Sequence, residues 1–170
     1  MSPITITLVA FSLLASGLPA RAADCLMENA GYVEPRSGAV LQFLPLPFNA
    51  SPMDNNILTL TFPNASEPLT GNVAWTNGRR TIPYMAIRHA CSQEDIDTDR
   101  KDSTGLCRLW DGSVYAITDG SADWIPGATD AAADGLLLPD FGDALVQWPD
   151  YYSVTDRSAW DAFEYIGCSR

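Results

Sequence analysis

The sequence predicts a mainly β domain: a small β-sandwich or barrel-like fold with one or two short helices, stapled by two disulfides. Three observations lead to this prediction. Short apolar runs recur between turn residues, as in all-β domains. The 12 Pro and 12 Gly divide the 170-residue chain into pieces too short for long helices. An even number of cysteines, four, follows an apolar leader, which is typical of disulfides in an exported chain.

Eight segments carry the composition and the flanking turns of β-strands. They are Ala39–Leu44, Ile57–Phe62, Asn72–Thr76, Arg80–Ala90, Leu106–Trp110, Val114–Thr118, Leu136–Leu138 and Ala144–Trp148. Asn77-Gly78 is a strong signal for a two-residue hairpin turn, and Asp111-Gly112 and Asp119-Gly120 flank another short strand.

Two segments have the pattern of short helices. Thr129 followed by residues 130–134 reads as an N-capped helical turn that ends at Gly135. Residues 158–166 place Trp160, Phe163 and Ile166 at helical spacing. The same residues also suit a last strand leading to Cys168, and periodicity does not decide between the two.

The N-terminus predicts a signal peptide. Residues 4–18 are apolar and uncharged, and Ala20-Arg21-Ala22 is an A-x-A cleavage site. The run is shorter than the roughly 20 residues that span a bilayer, so we expect no stable membrane insertion after cleavage. The sequence therefore predicts a signal peptide at residues 1–22 and a single β-rich domain at residues 23–170, periplasmic or secreted.

The four cysteines allow three pairings, of which we expect Cys91–Cys107 and Cys25–Cys168. The first closes a local polar loop, and the second joins the two ends of the mature domain, which often lie close together in compact domains. Zinc is the competing interpretation. It is disfavoured because there is no C-x-x-C motif and His89 is the only histidine.

The charge balance excludes two kinds of partner. The chain has 21 acidic and 10 basic residues, a net charge of -11. Nucleic acids and anionic membranes both require a basic surface, so neither is expected to bind. Asp outnumbers Glu by 16 to 5. Because Asp is favoured in turns, we attribute much of this excess to turn formation.

The loop between Cys91 and Cys107 has the highest local density of acids: Glu94, Asp95, Asp97, Asp99 and Asp102. Three of the aspartates alternate like the first ligands of an EF-hand, which suggests calcium bound by Asp95, Asp97, Asp99 and Asp102. Arg100 stands where the EF-hand turn needs Gly, and Leu106 stands where the bidentate Glu belongs. A calcium site here would therefore not be an EF-hand, and a solvated charged loop is the simpler interpretation. A further hypothesis is that all five acids contact a basic protein partner.

Catalytic chemistry has little support in the sequence. In a strand, His89 shares a face with Met85 and Ile87, which favours a hydrogen-bonded histidine at the edge of the core over a catalytic base. No G-x-S-x-G motif and no phosphate-binding glycine loop occur. We therefore predict no catalytic residues and no cofactor, with calcium as the alternative named above.

Carbohydrate chemistry is harder to exclude. Asp123 beside Trp124, Asp140 near Phe141 and Asp161 after Trp160 could each line a sugar site. We expect Trp75, Trp110, Trp148 and Trp160 to fill the core, since they fall within candidate elements. Trp124, in a turn-rich stretch, is the expected exception.

These observations favour an exported, non-catalytic binding or envelope module of unidentified ligand. Two alternatives stay open. One is an inhibitor-like protein that engages a basic enzyme through the acidic Cys91–Cys107 loop. The other is a small protein that binds or hydrolyses glycans with Asp and Trp. A basic protein or an envelope glycan is the expected partner.

Overall fold

The structure is a computed structural model, and it describes residues 22–63, 65, 67–76, 81–93, 95, 101–102, 105–146 and 161–169. Within these residues the fold is mainly β, as predicted: one curled antiparallel sheet of ten strands forms a half-barrel, with one short α-helix. No helix among them is long and apolar enough to cross a membrane.

The strands are short and follow each other closely. They are β1 (Ala30–Val33), β2 (Val40–Leu44), β3 (Asp54–Thr61), β4 (Leu69–Trp75), β5 (Pro83–His89), β6 (Cys107–Ser113), β7 (Tyr115–Thr118), β8 (Ser121–Trp124), β9 (Gly135–Leu137) and β10 (Ala162–Cys168). Two 3-10 turns, Ala22–Asp24 and Met27–Asn29, precede β1, and the helix α1 spans Phe141–Val146.

The order of the strands explains why the sheet curls. It is β6-β5-β4-β3-β2-β1-β10-β9-β7-β8, so β6 lies at one end and β7 lies next to the other end. Only Val114 separates β6 from β7 in the chain, and its side chain is buried. Because one residue cannot cross a flat sheet, the two ends of the sheet must come together at Val114. The sheet is thereby closed into a half-barrel around one core.

Alternate residues of the strands fill that core. Tyr32, Phe43, Leu58, Leu60, Met85, Ile87 and Phe163 are each at most 2% exposed. Tyr32 packs edge-on against Phe43, with ring centroids 5.9 Å apart. The alternation of buried and exposed residues along β2 and β3 follows the two-residue period of a strand, which is why these strands were predictable from the sequence.

Both predicted disulfides are confirmed. Cys25 and Cys168 have Cα atoms 5.8 Å apart, and Cys91 and Cys107 have Cα atoms 4.9 Å apart. Cys168 is the last residue of β10 and pairs with Ala30 of β1, so the ends of the domain are neighbours in the sheet. The prediction that the termini meet is therefore correct for a structural reason: the first and last strands are adjacent.

The predicted strand Ala144–Trp148 is wrong within the described residues, which show α1 instead. Phe141 and Leu145, four residues apart, are both buried, which is the spacing of one helix face. The carboxylate of Asp161 accepts the backbone N–H of Asp140 at 3.0 Å and of Gly142 at 2.9 Å. This carboxylate satisfies amides at the start of the helix from a distant part of the sequence, so local pattern could not reveal it.

The predicted helical turn at residues 129–134 is also wrong. The segment runs alongside the N-terminal segment: Met27 N–H donates to the carbonyl of Asp130, and Ala132 N–H donates to the carbonyl of Cys25, at 2.9 and 2.8 Å. Ala131 forms an isolated bridge with Leu26. Backbone pairing with a distant segment thus overrides the helix propensity of three consecutive alanines.

The segment that the sequence left open, residues 158–166, is a strand from Ala162 onward, while residues 158–160 lie outside the described part of the chain. Two strands were not predicted at all, β1 and β8. The Asn77-Gly78 signal falls on residues that are not described, between β4 and β5.

The turn interpretation of the Asp excess is confirmed for several aspartates. The carboxylates of Asp54, Asp95 and Asp130 each accept the backbone N–H of the residue three positions earlier, while those of Asp134 and Asp161 accept N–H groups from distant segments. Glu34, which is fully buried, accepts the N–H groups of Arg36 and Ser37 and so closes the turn between β1 and β2. The carboxylates of Asp54, Asp95, Asp130 and Glu34 therefore serve loop geometry.

Two tyrosines with raised pKa values make the free energy of unfolding depend on pH. Burial raises the pKa of Tyr32 above its ordinary value of 10.0, and burial followed by the charge of Asp24 raises that of Tyr165. The unfolded chain then loses these protons at lower pH than the folded chain. The stabilisation is therefore fully present below about pH 10 and is lost as the pH rises through the folded-state pKa values.

Urea unfolding measured between pH 8 and pH 11.5 should show this fall in stability, and Tyr32→Phe should make it smaller because Phe does not ionise. A free energy of unfolding that stays constant across this range would contradict the prediction. Absorbance at 295 nm should report in parallel that Tyr32 stays protonated while exposed tyrosines ionise.

Candidate functional site

Two of the five predicted acids of the Cys91–Cys107 loop are described, and both bind the protein's own donors. Asp95 is 2% exposed, and its Oδ2 accepts the N–H and the hydroxyl of Ser92 at 2.8 and 2.7 Å. Asp102 accepts Nε of Arg88 at 2.5 Å. Glu94, Asp97 and Asp99 lie outside the described residues. Among the residues that are described, no three His, Cys, Asp or Glu side chains are close enough to hold a metal ion.

His89 lies at the core edge, as the sequence predicted. It is 8% exposed, and its Nε2 is 3.8 Å from Oδ2 of Asp95. Ser92 completes a Ser, His and Asp set, but its hydroxyl donates to Asp95. In a nucleophilic triad the hydroxyl instead hydrogen-bonds the imidazole, which removes its proton. The arrangement thus fixes the start of the loop and does not have the geometry of an activated serine.

A chain of hydrogen bonds ties this loop to the outer face of the sheet. Nη1 of Arg88 donates to Oδ1 of Asn72 at 2.7 Å, and Nδ2 of Asn72 donates to Oδ1 of Asp54 at 3.0 Å. Together with Asp102, these residues connect the loop to β5, β4 and β3. The polar groups of these residues are bound to one another, so this row of hydrogen bonds has a structural role.

An exposed aromatic pair lies on the strands β7 and β8. Asp119 and Gly120 both have positive φ, 51° and 75°, which is the backbone of a two-residue hairpin turn. This turn pairs Tyr115 with Trp124 across the two strands. The rings are stacked with centroids 5.4 Å apart and planes 20° apart, and Trp124 is 41% exposed. The expectation that Trp124 is exposed is confirmed, and it is the most exposed tryptophan among the described residues.

Tyr84 extends this surface around the bend at Val114. It pairs with Ser113, which lies two residues before Tyr115 and so points to the same outer face. The hydroxyl of Tyr84 donates to Asp111, which also accepts Nη1 of Arg108 at 3.2 Å. The hydrogen bond to Asp111, with a smaller contribution from burial, raises the pKa of Tyr84. We call Tyr84, Tyr115, Trp124, Asp111 and Arg108 the aromatic corner.

The segment after Trp124 is held in place. Nδ2 of Asn56 and Nδ2 of Asn55 both donate to the carbonyl of Pro126, at 2.9 and 3.3 Å. Ile125 is buried in the core. The backbone of Trp124 is therefore held on one side by its pairing with β7 and on the other, through Pro126, by β3, and its ring packs against Tyr115. A rigid aromatic side chain loses little conformational entropy on binding, which suits a ligand contact.

The other tryptophan and aspartate candidates have different surroundings. Trp110 is 5% exposed and packs edge-on against Phe141, as expected of a core residue. Trp75, which was expected in the core, is only half-buried, so that expectation is wrong, and Trp148 and Trp160 lie outside the described residues. Asp161 is occupied with the start of α1, and Asp123 accepts the N–H of Trp124 at 2.7 Å.

The sequence interpretation missed Tyr84, Tyr115, Asp111 and Arg108. One signal was present: Tyr115 and Trp124 are equidistant from Asp119-Gly120, so a two-residue turn there must pair them. The position of Tyr84 beside Ser113 had no local signal, because it depends on the pairing of β5 with β6.

The fold and the site together define a class: a disulfide-bonded, curled antiparallel sheet with an exposed aromatic corner. Comparisons with protein-family models, curated proteins and solved structures found no significant match. The function must therefore be argued from the geometry of the chain itself.

Proposed function

We propose that this protein is an exported, non-catalytic binding module, periplasmic or secreted, whose ligand surface is the aromatic corner. The observation that carries the proposal is the stacked Tyr115–Trp124 pair. Most large side chains of this sheet are buried, yet this pair stands on the outer face with Trp124 41% exposed. Exposed aromatic surface beside oriented polar groups is characteristic of binding sites.

Export is supported by the two disulfides and by the predicted signal peptide at residues 1–22. Disulfides persist in oxidising compartments such as the periplasm or the extracellular medium. A non-catalytic role is supported by the carboxylates that sequence reasoning singled out. Asp95, Asp102 and Asp161 each bind donors that shape a loop or a helix start, so none of them is poised for proton transfer to a ligand.

The proposal is tested with Trp124→Ala. The chain should be expressed with its leader, purified oxidised, and sedimented with isolated cell envelopes, which contain both proteins and glycans. We expect the variant to bind at least about tenfold more weakly, since a central aromatic contact typically contributes 2 kcal/mol or more.

The matched control is Ile166→Ala, which removes a 55% exposed apolar side chain from β10 on another part of the sheet. It should bind like the parent protein. Equal binding by the parent and Trp124→Ala would overturn the assignment of the aromatic corner as the ligand surface. Far-UV circular dichroism must show that both variants are folded.

A further inference from the structure

We infer that the ligand of the aromatic corner is an uncharged glycan chain, an inference that rests on the proposed function. The two ring faces of Trp124 have different surroundings. One face of Trp124 packs against Tyr115, and β8 is the last strand of the sheet. Among the described residues, no strand of the sheet lies beyond β8 next to the other ring face, and Trp124 is 41% exposed. A flat, exposed ring face matches the C–H face of a pyranose ring.

Strand addition by a peptide is the main alternative at a sheet edge, and the structure disfavours it here. In the β7–β8 hairpin, Thr118 and Ser121 flank the two-residue turn, so the backbone groups of Ala122 and Trp124 point away from β7. The carboxylate of Asp123 already occupies the N–H of Trp124, and Pro126, which has no N–H, follows. β8 is also only four residues long. An added strand would find few free donors.

Polar groups are available instead further along the same outer face, on β5 and β6. Asp111 is held by the hydroxyl of Tyr84 and by Arg108, so an acceptor and a donor are fixed next to each other on the outer face. Sugar hydroxyls both donate and accept hydrogen bonds, and carboxylate and guanidinium groups bind them in pairs. The aromatic corner thus combines stacking surface with oriented polar groups.

The outer face also indicates a ligand of more than one ring. Tyr115 pairs with Leu137 of β9, and Leu137 pairs with Ala162 of β10. Trp124, Tyr115, Leu137 and Ala162 therefore form an apolar row across four strands, about 14 Å long at ordinary strand spacing. A row of this length exceeds a single six-membered ring, so we expect an oligosaccharide to bind better than a monosaccharide.

The negative charge around the aromatic corner favours uncharged over anionic glycans. Arg108, which is paired with Asp111, is the basic member of the aromatic corner, and the described residues from Leu109 to Ser169 add no basic side chain and nine acidic ones: Asp111, Asp119, Asp123, Asp130, Asp134, Asp140, Asp143, Asp161 and Glu164. An anionic polysaccharide would be repelled by this half of the molecule. An uncharged glycan meets no such repulsion, and its hydroxyls can donate to the carboxylates.

The test uses titration calorimetry of the oxidised full chain with four defined probes: a soluble neutral β-glucan, an N-acetylglucosamine hexamer, dextran sulfate and polylysine. We expect one of the neutral glycans to bind, with affinity changing less than about twofold between low and high salt because no charge pairing is involved. Trp124→Ala should lose at least about tenfold in affinity. Tyr84→Phe, which removes one hydroxyl, should lose about two- to tenfold.

Two results would overturn the inference. If polylysine is the only probe that binds, and its binding is sensitive to salt and to Trp124→Ala, the aromatic corner recognises a basic polypeptide. This result would support the proposed function and contradict the glycan inference. Glycan binding that Trp124→Ala and Tyr84→Phe leave unchanged would place the glycan elsewhere. If Trp124→Ala also leaves envelope binding unchanged, the proposal that the aromatic corner is the ligand surface is contradicted too.

Discussion

Replacing Cys25 and Cys168 together by alanine is expected to lower the free energy of unfolding by about 5 kcal/mol. The two residues are 143 positions apart, so the disulfide between them closes almost the whole domain into one loop. By chain entropy, a cross-link over such a loop removes about 5 kcal/mol of conformational freedom from the unfolded chain. Single domains typically have only 5–15 kcal/mol of stability, so this variant should be partly unfolded at 37 °C.

The comparison is the double replacement of Cys91 and Cys107 by alanine. Their separation is 16 residues, for which the same argument predicts a loss of about 3 kcal/mol. Urea unfolding at 25 °C, followed by circular dichroism, measures both variants. A larger loss for the Cys91/Cys107 variant than for the Cys25/Cys168 variant would contradict the chain-entropy explanation. It would show instead that the acidic loop stabilises the sheet through its contacts.

Phe141→Ala is expected to cost about 4 kcal/mol, the second largest effect. Phe141 is fully buried, and its ring centroid is 5.7 Å from that of Trp110 on β6 and 5.9 Å from that of Phe163 on β10. It therefore joins α1 to strands that lie far apart in the order of the sheet. Truncation would leave a cavity that neighbouring rings can fill only in part.

Val146→Ala is the matched control on the same helix. Val146 is 55% exposed, so its truncation should change the free energy of unfolding by less than about 0.5 kcal/mol. Denaturant midpoints of the two variants, measured in the oxidised state, give the comparison. A loss below about 1 kcal/mol for Phe141→Ala would mean that α1 contributes little to the core.

Strands with a clear two-residue period could be predicted from the sequence. Leu41 and Phe43 in β2, and Leu58 and Leu60 in β3, alternate with exposed neighbours because one face of the sheet is buried. β8 has no such alternation, since all four of its residues are exposed. Without a buried face, a strand leaves no hydrophobic pattern, and its existence depends on the Asp119-Gly120 turn.

The candidate site was predictable only in part. Trp124 could be identified as exposed because it lies outside the apolar runs, in a turn-rich stretch. Asp95 was expected at the surface of the acidic loop but is buried, because Ser92 supplies it with two donors and His89 lies beside it. Judged by composition alone, a carboxylate is expected at the surface. Whether it is buried depends on the hydrogen-bond donors that surround it.

By itself, the sequence determined the fold class, most strands, both disulfide pairs and the acidic character of this protein. These properties depend on local periodicity, on turn residues and on the number and spacing of the cysteines. Only the tertiary structure decided that Ala131 pairs with the N-terminal segment, that Asp161 binds the start of α1, and that Tyr84 lies beside Ser113 on the outer face. Each of these contacts joins residues that are distant in the chain, and the bend at Val114, where β6 continues into β7, brings the two ends of the sheet together. Local residue preferences contain no information about that closure, and the closure creates the aromatic corner.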